Sequence, residues 1–381
     1  MKVLVIGLGQ AGGKIADYFM LDDRKSHFPH TIRCMAINTA KSDLMGLRYI
    51  PQEDRILIGE TVVKGHGVGA DNKKGATIAE DEIEVILNRV SKFDVSTLDA
   101  FFVVAGLGGG TGSGSISIVC RSLKQIYDEP VYAMGILPAE NEGDIYTLNA
   151  ARSLKALLPA CDSTLLVDNG AFLRSGESVR QAYDRINSDI VKRLGILFRS
   201  GETKSRAQVA EMVVDASEII NTLRAGGICS IGYASEAVQT QGFLSKFFKK
   251  DQYEIGKASR IVSVVKRAVK GRLLLPCDYT SAHKALIVIA GPPDQLDRKG
   301  IEKAREWLEE TIAGTEVRGG DYPLPRSNYV GCVVLLAGIA SAPRVVSMLQ
   351  RAKYVQERLG TAPKRERDIE ELLGEIENLE K

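Results

Sequence analysis

The chain has 381 residues, 44% of them hydrophobic, and its 50 Lys and Arg against 48 Asp and Glu leave a net charge of +2. That length suits about two domains of ~150 residues, and the balanced charge argues against a nucleic-acid surface, so any affinity for phosphate has to be local. Six cysteines without CxxC pairs and four histidines without ligand spacing read as reduced packing residues rather than a metal centre. No run approaches the ~18 apolar residues of a membrane span and none resembles a secretion signal, so a cytoplasmic protein is expected.

In chain order, Val3 to Ile6 is a short apolar run of the buried parallel-strand type, followed by Gly7-Leu8-Gly9-Gln10-Ala11-Gly12-Gly13-Lys14 and a predicted helix from Ile15 to Met20. This is a phosphate-type turn. Its Gly7-x-Gly9-x-x-Gly12 spacing also fits a dinucleotide fingerprint, which makes an NAD or FAD oxidoreductase the rival from another class. The second strand, Ile32 to Ile37, ends in Asn38-Thr39-Ala40, where a dinucleotide site needs an acid for the ribose. A third strand is expected at Arg55 to Ile58. After it the glycine-rich stretch Gly65 to Gly75, with Ala70 and Asp71 inside it, leads to a charged helix from Thr77 to Val90.

The stretch that organises the chain follows the apolar run Phe101 to Ala105. In Gly106-Leu107-Gly108-Gly109-Gly110-Thr111-Gly112-Ser113-Gly114, six of nine residues lack a β-carbon, so successive backbone N–H groups can converge on an anion at the start of a helix read from Ile116 to Tyr127. Thr111 and Ser113 add hydroxyl donors there, and Ser113 or Ser115 is expected to cap that helix. No Gly-Lys-Ser/Thr closes the loop, so it is not a P-loop. The motif resembles the signature of the tubulin and FtsZ superfamily, GTPases that polymerise into filaments. The resemblance implies that Gly9 to Lys14, Asn38, Ala70 and Asp71, and Gly108 to Gly112 (including Gly109, Gly110 and Thr111) surround GTP or GDP. Asp71 stands where FtsZ has Asn, and an acid beside the terminal phosphate implies Mg²⁺ held through water.

Strands follow at Pro130 to Leu137 and Ser163 to Val167, with a helix from Gly143 to about Leu158 between them. By the same resemblance Glu142 accepts from the ribose and Asn169 lies against the nucleoside, although Tyr146 replaces the FtsZ arginine. Apolar or long side chains at Val179, Tyr183, Ile186, Ile190, Leu194 and Leu197 recur at steps of three and four, a long helix over Glu177 to Phe198. Tyr183 and Asn187, one turn apart, share a face. Similarity to the superfamily's central helix implies that they stack on guanine and bond its edge.

Asp215 and Glu218 open a further helix, where acids suit the helix dipole. They also match the superfamily's catalytic loop, which acts on the neighbouring subunit's nucleotide, although Val213 replaces its Asn. Beyond Gly226 come strands at Cys229 to Tyr233, Lys284 to Ile289 and Tyr329 to Leu336, and helices at Ala258 to Val269 and Lys299 to Ile312. The basic, aromatic stretch Phe243 to Lys250 is read as a contact surface or local packing rather than a membrane anchor. Ile369, Leu372, Leu373, Ile376 and Leu379 form an apolar stripe that packs on the body or docks a partner.

The expected architecture is therefore α/β, with a Rossmann-like parallel-sheet GTPase domain (1–176), a long central helix (177–200), a second α+β domain (201–355) and a charged amphipathic tail (356–381). The chain is expected to self-associate into protofilaments, with hydrolysis of GTP completed by the next subunit and a role in cell shape. Its mixture of features is most similar to the archaeal CetZ branch; an FtsZ-type division protein and a non-hydrolysing structural homologue are the alternatives.

Overall fold

The computed structural model describes residues 1–173, 176–202, 212–238 and 250–360. Strands and helices alternate through the first half: β1 (Val3–Leu8), α1 (Gly9–Lys25), β2 (Ile32–Asn38), α2 (Lys41–Met45), β3 (Arg55–Leu57), α3 (Glu60–Val63), α4 (Asn72–Asp81) and α5 (Ile83–Val90). They continue with β4 (Ala100–Gly106), α6 (Thr111–Ile126), β5 (Val131–Leu137), α7 (Asp144–Leu157), β6 (Ser163–Asp168) and the 21-residue α8 (Val179–Arg199). The second half comprises α9 (Ala216–Leu223), β7 (Ile228–Ala237), α10 (Lys250–Gly271), β8 (Lys284–Gly291), α11 (Arg298–Glu309), β9 (Glu316–Pro323), β10 (Tyr329–Ala337) and α12 (Pro343–Gly360).

The ten strands stand in the order β3-β2-β1-β4-β5-β6-β7-β10-β8-β9. From β3 to β7 every pairing is parallel, β10 runs antiparallel to both β7 and β8, and β9 is parallel to β8. Strands such as β1, with no exposed residue, read as continuous apolar runs because helices cover both faces. Val3 and Val5 face one core with Phe19, Phe102 and Phe198, whose rings meet edge-on or stacked at 5.5–6.4 Å. Leu4, Ile6 and Leu8 face the other, under α6. In α8, Ile186, Ile190, Leu194 and Leu197 are buried along the first core, and Ser178 with Gln181 forms a capping box at its start.

Several boundaries differ from the sequence expectation for identifiable reasons. Helix α1 begins at Gly9 rather than Ile15, and its glycines allow close packing of the first turns: a β-carbon at Gly12 would lie 2.1 Å from the Val104 carbonyl oxygen. Helix α6 begins at Thr111, so neither Ser113 nor Ser115 caps it; the Ser113 hydroxyl donates to the Gly109 carbonyl and that of Ser115 to Thr111 at 2.7 Å. The predicted Thr77 to Val90 helix is two, broken at Glu82, whose carboxylate accepts from the Gly59 N–H at 2.9 Å. Strand β9 and helix α12 had no counterpart in the expected elements. Most of the Phe243 to Lys250 stretch and the stripe Ile369 to Leu379 lie outside the described residues. All six cysteines are free, five of them buried. Among the described residues no helix is long and apolar enough to cross a membrane.

Candidate functional site

The carboxyl ends of β1, β4 and β5 open into a cavity of about 440 Å³ whose wall includes Leu8, Gly106 and Leu137. Helices α1 and α6 start at this rim, so their unpaired N–H groups make it an anion site. A β-carbon at Gly109 would meet nothing within 4 Å, so that turn of the loop is open. Gly114 differs: its β-carbon would sit 2.4 Å from the Asn72 oxygen, so this glycine serves the packing of α6 on α4.

The cavity gathers most of the residues singled out from the sequence: Gly9, Gln10, Ala11, Lys14, Asn38, Ala70, Gly108 to Gly112, Glu142, Asn169, Tyr183 and Asn187. Gly12 and Gly13 do not line it; they face Val104 and the Ala36–Leu47 packing. Asp71 is also outside the wall, its carboxylate capping α4 through the Lys74 N–H at 3.0 Å. Asp215 and Glu218 are elsewhere altogether.

Hydrogen bonds between the loops hold the rim. Thr39 and Thr111 share a bond between hydroxyls at 2.6 Å, and Asn38 Oδ1 accepts from the N–H groups of Thr39 and Ala40. Asp43, which the sequence reading missed, also lines the cavity and accepts from Asn38 Nδ2 at 3.0 Å and Gln10 Nε2 at 3.2 Å. A second missed residue is Asn149 of α7, 1% exposed. Its amide donates to the carbonyls of Ala70 (2.7 Å), Gly108 (3.1 Å) and Gly109 (3.3 Å), tying the 65–71 loop to the signature loop. Ala70 itself has φ +62°, a left-handed backbone rare for a residue with a β-carbon.

On the opposite wall, Asn187 is buried, and burial pushes the Tyr183 phenol above its usual range. Glu142 accepts from the Ala139 N–H at 2.9 Å, which folds its loop back toward the cavity. That loop is buttressed from α12: Arg344 donates to the Pro138 carbonyl at 2.6 Å and pairs with Asp168 at 3.3 Å, while Arg351 meets the Glu140 carbonyl and Asp144. Burial pushes the Asp168 carboxyl up, against the pull of the Arg344 guanidinium.

Asp215 caps α9 with a single oxygen, Oδ1, which accepts from Ser217 N–H (2.9 Å), Ser217 Oγ (2.6 Å) and Glu218 N–H (3.2 Å). The Ser217 hydroxyl and these N–H groups hold its carboxyl below the usual range. Glu218 accepts from Arg318 Nη1 at 3.0 Å. The preceding Val214 carbonyl accepts from Ser200 at the far end of α8. Between Asn187 and Ser200 the helix rises about 20 Å, so this acidic loop and the cavity occupy opposite ends of α8. No cluster of three metal-ligating side chains occurs among the described residues.

Residues 2–177 match the tubulin/FtsZ family GTPase domain, and residues 176–354 match the C-terminal domain of tubulin-like CetZ proteins. The chain is 48% identical to tubulin-like protein CetZ1 of Haloferax volcanii, across 94% of this chain and 93% of the relative. A GDP-bound monomer of Haloferax volcanii CetZ1 superimposes with a TM-score of 0.83 at 47% identity, covering 93% of this chain and 100% of that one. A GTPγS-bound protofilament of Haloferax volcanii CetZ2 superimposes with a TM-score of 0.85 at 41% identity, covering 95% and 100%. With both halves matched, the chain belongs to the tubulin/FtsZ family, in its tubulin-like CetZ branch.

Proposed function

We propose that this cytoskeletal protein binds GTP in the cavity, hydrolyses it to GDP and phosphate, and polymerises head to tail in the cytoplasm, with a role in cell shape. One observation carries the reading. The cavity and the Asp215–Glu218 pair lie at opposite ends of α8, about 20 Å apart along its axis, too far to act on one nucleotide within a chain but suitably placed to meet across a head-to-tail contact. The GTPγS-bound protofilament of a relative supports this arrangement.

In this reading the N-termini of α1 and α6 bind the phosphates, with the open turn at Gly109 and the ordered Asn38 and Ala70 loops closing over them. Tyr183 stacks on the base and Asn187 bonds its edge, while Glu142 and Asn169 take the ribose side. Mg²⁺ bound mainly by phosphates and water would need few protein ligands; Asp71 would reach it through water, and the ion would supply charge neutralisation for phosphoryl transfer. Asp215 and Glu218 of the adjoining subunit orient the attacking water. A second reading, a filament protein that binds GTP without turnover, draws on Val213, exposed where the family places an Asn.

GTP turnover per subunit measured against protein concentration tests the proposal. It is expected to be low in dilute solution and to rise as filaments form. High turnover that is flat with concentration overturns the shared site; filaments without any turnover support the second reading.

A further inference from the structure

The acidic loop is bound to a strand that lies at the edge of the sheet. Three successive features of β9 meet it. Arg318 Nη1 donates to Glu218 Oε1 at 3.0 Å; a β-carbon at Gly320 would lie 2.0 Å from the Met212 carbonyl oxygen; and Asp321 Oδ1 accepts from the Met212 N–H at 2.7 Å while its own N–H returns a bond of 3.0 Å to the Met212 carbonyl. The guanidinium is itself held: Arg318 Nε donates to Glu316 Oε1 at 2.7 Å, and Glu316 Oε2 lies 2.6 Å from Lys284 Nζ. Lys284 also donates to the Asn221 carbonyl at the other end of α9, at 3.1 Å. Helix α9 is thus fastened near both ends by one chain of charges running over β8 and β9.

Arg318 and Glu218 are about a third exposed, at 33% and 30%, and pairs in such surroundings add little to stability. Their effect is on orientation. Among the described residues the guanidinium engages one oxygen of Glu218, and in the proposed role the second accepts from water. Among the described residues Asp215 has the same arrangement, since its three bonds there all go to Oδ1.

We propose that Arg318 is a positioning residue for hydrolysis: through its bond to Glu218 it sets the carboxylate that orients water on the neighbouring subunit's nucleotide. This rests on the reading of Glu218 given above. A fixed partner limits the rotamers of a long acid, and misplacement of a catalytic group by ~1 Å costs up to about 10²-fold in rate. Glu316 and Lys284 keep the guanidinium from swinging away.

The test uses the full-length chain under filament-forming conditions, with GTP affinity, sedimented fraction and phosphate release measured for Arg318→Ala, Arg318→Lys, Glu218→Gln and the double variant Arg318→Ala with Glu218→Gln. Arg318→Ala is expected to lower turnover per assembled subunit about tenfold with affinity unchanged, and Arg318→Lys to recover most of it. The double variant should be no slower than Glu218→Gln alone, because a residue that acts only through Glu218 has nothing left to position. Turnover in Arg318→Ala equal to or above that of the parent, or a second loss on top of Glu218→Gln, overturns the proposal. Unchanged turnover in Glu218→Gln instead overturns the functional reading beneath it. Should Arg318→Ala fail to assemble, Glu316→Gln, which loosens the guanidinium without touching Glu218, is expected to slow turnover about threefold, and an unchanged rate there also overturns the proposal.

Discussion

The two ends of α8 are built on different plans. At the cavity end, the polar groups of the rim bond one another across loops far apart in sequence: Thr39 to Thr111, Asp43 to Gln10, Asn149 to Ala70 and Gly108. At the other end, among the described residues, Asp215 and Glu218 are each secured by one oxygen and neither lines that cavity. In the proposed function the pocket binds the nucleotide within one chain, and the two acids on a partly exposed helix act on that of the next subunit, so one molecule would bind a ligand alone and depend on a neighbour to transform it.

The sharpest way to break this contrast is to change the acids without changing the cavity. Replacing both by their amides, Asp215→Asn with Glu218→Gln, is expected to lower phosphate release by filaments about 10²- to 10⁴-fold, the range of a positioned acid–base group. GTP affinity should stay within about twofold, since the phosphate loops are on the chain that binds the nucleotide. Filaments should persist longer. Reduced affinity with normal turnover per bound nucleotide would place these acids in the wrong site.

The cavity end is tested next by Asn149→Ala. Three loop carbonyls lose a buried donor, so the variant should unfold at lower urea concentration, by about 1–3 kcal/mol, and bind GTP more weakly because the 65–71 and 106–110 loops are no longer tied. Intact affinity would mean the loops are ordered without it. Asn187→Ala is expected to weaken GTP binding by about 1–3 kcal/mol while leaving stability and ATP binding little changed, the cost of leaving a base-edge group unpaired. Equal affinity of the parent for ATP and GTP would remove this role for Asn187 and Tyr183.

The smallest effect separates capping from chemistry at Asp215. Asp215→Ala removes the cap of α9 and should cost about 1 kcal/mol, whereas Asp215→Asn keeps the cap and should cost a few tenths. Because the folded carboxyl is held below its unfolded value, the charged cap stabilises above about pH 4 and that contribution is lost as pH falls through the lowered folded value. The Asn variant should lack this acid-side decline in urea titrations. If Asn and Ala are equally stable, the Ser217 and Glu218 bonds add nothing.

The sequence alone determined the alternation of strand and helix through α8 and the signature loop, because each rests on local rules: apolar runs for buried parallel strands, glycines at strand ends, and a three- and four-residue apolar step in the long helix; Asn38, Ala70, Glu142, Asn169, Tyr183 and Asn187 were reached only through the resemblance to the superfamily. Helix α12 follows the same rule, since Val345, Met348, Ala352 and Val355 recur at those steps and are all buried, but it was not among the expected elements. Strand β9 follows no such rule. Glu316, Arg318, Gly319, Gly320 and Asp321 carry no apolar alternation, and the segment is a strand because β8 offers an eight-residue parallel partner. Nor does any local pattern mark Asp43, Asn149 or Arg318, which bond to Gln10, Ala70 and Glu218 across 33, 79 and 100 residues. That Gly12 and Gly114 serve packing while Gly109 faces open space was likewise decided only in three dimensions, because a missing β-carbon looks the same in sequence whether ligand or backbone fills the space it leaves.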